Sequence, residues 1–82
     1  MTFFNSITNE RKIQILTLRI SSLKEQLWMI LIDAGLIPEE LDMAAFDPET
    51  DISEENAHYR IQVSQTLDLI NKTELIKSGI TV

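Results

Sequence analysis

Between Ile13 and Ala34, apolar residues recur at alternating intervals of three and four: Ile13, Leu16, Ile20, Leu23, Leu27, Ile30 and Ala34. Such spacing lines them up on one face of an α-helix, with Ile13, Ile20 and Leu27 at heptad position a and Leu16, Leu23 and Ile30 at d. A strand would need alternation with period two, which is absent. Ser6, Thr8 and Asn9 can each cap the start. The end is sharper, because Gly35 suits a left-handed residue, Leu36 can touch Leu31, and Pro38 forbids continuation. A helix over about 9–34 would be roughly 39 Å long at 1.5 Å per residue. Its back carries a second stripe, Ile15, Leu18, Met29 and Ile32, interrupted by Ser22 and Glu25, with Trp28 to one side. A helix that is apolar on two faces needs cover on two faces, and one partner helix of the same chain covers only one. The spacing therefore predicts a second copy or a partner against Ile15, Leu18, Met29 and Ile32, most simply a homodimer or higher oligomer.

The rest of the chain supplies the intramolecular partner. Pro38, Glu39 and Glu40 suit a first helical turn, which predicts a short helix over about 38–46 with Ile37, Leu41, Ala44 and Ala45 facing inward and Phe46 near its end. Asp47-Pro48 opens an acidic connector over about 47–52. A second long helix is expected over about 53–78, starting from a Ser53 cap or earlier from an Asp47 cap, with Tyr59, Val63, Leu67 and Ile70 inward. Asn71-Lys72-Thr73-Glu74 has the form of a capping box, so a kink or fresh start is expected near Asn71. These elements predict one all-α domain over 1–82, an antiparallel helical hairpin with a short middle helix, dimerising into a four-helix bundle.

Charge excludes several functions. Residues 37–58 hold eight acidic side chains and no Lys or Arg, within a chain of net charge −6. That balance opposes binding to nucleic acid, where cations must displace counterions, and to an anionic membrane surface. The longest apolar run, Leu27 to Ile32, is six residues, far short of the roughly 20 that span a bilayer. The first residues lack the basic start and apolar core of a secretory signal, so a cytoplasmic protein is expected. With no cysteine, disulfides, thiolate metal sites and cysteine nucleophiles are ruled out. Gly35 and Gly79 stand alone, which leaves no Gly-rich phosphate loop. A hairpin this small also has little room to enclose a metabolite pocket of about 300 Å³ or more. No cofactor is expected.

Three constellations remain. Glu55-x-x-His58, with Glu25 as a further carboxylate, matches the ligand spacing of di-iron bundles, and a dimer would offer four Glu and two His. In this it resembles the two-helix encapsulated ferritins, whose metal site straddles a dimer. His58, however, points about 140° away from Val63 on a wheel of 100° per residue, toward solvent. Asp47-x-Glu49-x-Asp51 starts like a calcium loop but lacks Gly at its sixth position and Glu at its twelfth, where His58 stands.

Ser64-Gln65-Thr66-Leu67-Asp68 is the second constellation. It resembles the Ser-Gln-x-Leu-Asp signature of the small sporulation aspartyl-phosphate phosphatases, helical hairpins that strip the phosphoryl group from a response-regulator receiver domain. Chain size, architecture and the motif's place on the second helix agree with that family. The loop does not: 28 residues separate Gly35 from Ser64, whereas the family joins its helices tightly. Glu74 stands about where the family often has Tyr. The resemblance implies that Gln65 orients a water at an already activated acyl phosphate, while Asp68 accepts its proton or contacts the receiver's cation and Ser64 lies beside them. Ser64 and Asp68, four residues apart, share a helical face opposite Val63, Leu67 and Ile70.

The acidic stretch is the third. Glu49, Asp51, Glu54 and Glu55 can imitate a nucleic-acid backbone in a basic groove of another protein. Taken together, the sequence reads as a small helical interaction module or regulator that binds a partner protein. Its alternative is an aspartyl-phosphate phosphatase whose partner is a response regulator.

Overall fold

A computed structural model describes residues 7–81. The fold is all-α. Helix α1 runs Asn9–Asp33, a single-turn helix α2 runs Pro48–Asp51, and helix α3 runs His58–Ser78. Among the described residues there is no strand.

Helix α1 begins at a Thr8 cap, whose hydroxyl accepts the Arg11 N–H at 3.2 Å. It ends on the motif anticipated at Gly35, which adopts φ +83°. The Leu36 N–H reaches the Leu31 carbonyl at 3.0 Å and the Gly35 N–H reaches Ile32 at 2.9 Å, the paired bonds of a Schellman turn. A Cβ on Gly35 would lie 3.6 Å from the Asn56 side chain, so it is the backbone conformation, not space, that calls for glycine.

Helices α1 and α3 pack side by side and antiparallel. Near one end the Asn9 side chain donates to the Thr81 carbonyl at 2.8 Å, and farther along Lys24 lies 3.7 Å from Glu74. Leu23, Leu27, Leu31 and Ala34 of the α1 side meet Val63 and Ile70 of α3. Of the predicted seam, Leu16, Ile20, Leu23 and Leu27 are buried, while Ile13 and Ile30 are half-buried. On α3, Val63 and Ile70 are buried and Tyr59 and Leu67 half-buried. Thr66 is also buried, and its hydroxyl donates to the Gln62 carbonyl at 2.8 Å, so it leaves no unmet polar group.

The connector departs from the expected pattern. The helix expected over about 38–46 is reduced to a 3₁₀ turn at Pro38–Glu40 followed by a turn at 43–45. Its proposed inner face does not form, since Ile37, Ala44 and Ala45 are exposed and only Leu41 and Phe46 pack on the core. Asp42 gives one physical reason: its carboxylate accepts the Ala44 N–H at 3.1 Å, a local turn that competes with helix. Asp47 does cap a helix, but it is the single turn α2 and not the long helix. Its carboxylate accepts from Glu49 at 3.0 Å, and Asp51 reaches back to the Asp47 N–H at 2.9 Å.

Ser53 does not start the long helix. It precedes a 3₁₀ turn at Glu54–Asn56, and α3 proper begins at His58. Nor does α3 break near Asn71. The Thr73 hydroxyl bonds back to Leu69 at 2.7 Å within a continuous helix, so no capping box forms there.

Ile52 is the residue that ties the connector down. It is completely buried among Leu23, Leu27 and Val63. Its carbonyl receives two bonds from the Arg60 guanidinium, at 3.1 and 2.7 Å, and the same guanidinium lies 3.3 Å from Glu54.

Candidate functional site

The motif on α3 lies outside the core. Ser64, Gln65 and Asp68 are all exposed, whereas the intervening Thr66 is buried and Leu67 half-buried. Helical geometry explains the split. Val63, Thr66, Leu67 and Ile70 turn toward α1, and positions 64, 65 and 68 fall on the opposite side. Asp68 makes an ion pair with Lys72 at 2.9 Å. Both partners are well exposed, so the pair contributes at most about 1 kcal/mol and can be exchanged for a partner's cation or N–H at small cost. Around these polar groups stand Ile61, Leu69 and Leu75, exposed at 65%, 45% and 72%. The arrangement can meet another molecule's surface with apolar contact and place a carboxamide, a hydroxyl and a carboxylate within it. It has no enclosing wall that would hold a metabolite.

The metal candidates are not gathered. Glu25 sits on the exposed back of α1, Glu55 lies in the turn before α3, and His58 is exposed at the start of α3 with its ring 4.1 Å from Tyr59. Among the described residues no three His, Asp or Glu side chains come together as a ligand set. One carboxylate oxygen each of Asp47 and Asp51 accepts a backbone N–H of the α2 cap.

Glu49, Asp51, Glu54 and Glu55 are exposed along the connector. Glu54, however, is held toward Arg60.

A groove missed in the sequence lies between α1 and α3, on the side where Trp28 was placed. Its volume is about 510 Å³, with Leu27, Leu31 and Ile70 at its base and Trp28, Pro38 and Met43 around it. Pro38 and Met43 reach it only because the connector folds back over the helix pair, which periodicity within one helix does not reveal. The Lys24–Glu74 pair borders one end of this groove and leads into a second one along Ile13, Thr17 and Ile20.

No helix among the described residues is long and apolar enough to cross a membrane. Compared with known proteins, the chain matches no family model, no curated protein and no solved structure.

Proposed function

We propose that this chain is a small helical regulator in the cytoplasm that works by docking the outward face of α3 on another protein. The observation that carries the reading is the joint exposure of Ser64, Gln65 and Asp68 with Ile61, Leu69 and Leu75. Large apolar residues left in water around a few polar groups have the composition of a protein-binding patch. The test is affinity capture from lysate, using the wild-type chain beside an Ile61→Asp, Leu75→Asp double variant of matched helicity. A partner retained by the wild type and lost by the variant supports the reading. Identical proteins captured by both would refute it.

A second reading is favoured by the outward display of the motif itself: the partner is a receiver domain, and its aspartyl phosphate is hydrolysed. In that reaction Gln65 would hold a water in line with the acyl phosphate, so that water oxygen bonds to phosphorus as the bond to the aspartyl oxygen breaks. Asp68 would take the water's proton, and inorganic phosphate would leave. A phosphorylated response regulator mixed with the chain should lose its phosphoryl group faster than alone. Gln65→Ala should remove that acceleration without changing the helix content, whereas unchanged dephosphorylation by Gln65→Ala and by Asp68→Ala would sink this reading.

A further inference from the structure

Helix α1 leaves its back stripe in water, with Leu18 at 67%, Met29 at 66% and Ile32 at 53% exposure and Ile15 half-buried. The stripe Ile15, Leu18, Ser22, Glu25, Met29, Ile32 is spaced 3, 4, 3, 4, 3, which reads the same from either end. An antiparallel second copy, related by a two-fold axis passing between Leu23 and Lys24, would set Ile15 against the copy's Ile32 and Leu18 against its Met29. Ser22 would meet Glu25 of the copy, a hydroxyl donor opposite a carboxylate acceptor. Two symmetry-related polar layers at the centre of an otherwise apolar seam are the kind of device that fixes register. The flanking positions would place Lys12 opposite Asp33 of the copy and Arg19 opposite its Gln26.

The distribution of charge selects the same orientation. Folding back converts the chain into a molecule with two poles. Residues 7–24 with 68–81 hold six Lys or Arg and three acidic side chains, whereas 25–67 hold ten acidic side chains and one Arg. The molecule extends 46 Å along its longest axis, several Debye lengths at a screening distance of about 8 Å. Only the charges brought side by side therefore count strongly. Antiparallel copies set each basic end beside an acidic end, and parallel copies would set like beside like.

We infer that the outward face of α1 binds a second copy of this chain, antiparallel, with Leu18 against Met29 and Ser22 against Glu25 across the two-fold axis. Such an interface is isologous, so the same residues serve both copies and association stops at two. It leaves the outward face of α3 open, and it does not depend on what that face binds.

The chain contains no cysteine, which makes a directional cross-linking test simple. Leu18→Cys and Met29→Cys would be made singly, matched for helicity to the wild type, and oxidised with glutathione disulfide. The antiparallel seam predicts a covalent dimer when the two variants are mixed and little from either alone. Position 18 faces 29 of the other copy, and about 16 Å of helix separates 18 from 29 within one copy. Sedimentation of the wild type should give twice the monomer mass. Efficient linking of each single variant to itself would mean a parallel pair and would overturn the inference, as would a monomeric mass through the high-micromolar range.

Discussion

Leu16, Ile20, Leu23 and Leu27 repeat along one face of α1 much as Ile15, Leu18, Met29 and Ile32 do along the other, yet the first set is buried and all of the second but half-buried Ile15 are exposed. The two faces differ less in hydropathy than in what the rest of the chain can reach. Helix α3 turns Val63, Leu67 and Ile70 inward, and these are used up on the first set. The connector adds Ile52, Leu41 and Phe46 to the same side. A hairpin has only one inside. An apolar stripe on its back therefore adds nothing to the monomer's core and is available for association.

The difference can be tested by substitutions of decreasing force. Leu23→Asp, at a side chain with 1% exposure, buries a carboxylate with no partner and should cost about 4 kcal/mol or more. Against a total stability of roughly 5–15 kcal/mol for a small domain, most of the chain should unfold, as measured by helical circular dichroism. Ile52→Ala removes a completely buried side chain from the connector and should cost about 2–4 kcal/mol in chemical denaturation. Arg60→Ala strands the buried segment's carbonyl at Ile52 and should cost about 1–3 kcal/mol, with faster amide exchange concentrated in residues 52–57. Gly35→Ala should cost about 1 kcal/mol through its left-handed backbone rather than through crowding.

How far these features could be read from the sequence follows their range. The α1 seam, the Gly35 terminus and the inner positions of α3 are set by near neighbours and a fixed helical period, so they can be read directly. The connector is governed by a contact between distant residues, the burial of Ile52 beneath Arg60, which are eight positions apart in the chain and against a helix much farther away. Nothing local marks Ile52 as core: it lies between Asp51 and Ser53 in the most acidic stretch. The helix expected over 38–46 does not form for a local reason that apolar spacing does not show: the Asp42 carboxylate satisfies the Ala44 N–H in a turn that competes with helix. On α3, the outward set of Ser64, Gln65 and Asp68 follows from the wheel alone. The groove beside Trp28 does not, since its wall is built by Pro38 and Met43 after the connector folds back.

The measurement that most directly tests the division of labour in α1 is sedimentation of Met29→Asp beside circular dichroism of the same sample. Met29 lies on the exposed stripe, and each dimer would bring two new carboxylates into the seam. The account predicts a protein that keeps the wild-type helical signal and sediments as a monomer at concentrations where the wild type is a dimer. A variant that unfolds, or one that still sediments as the wild type does, would contradict it.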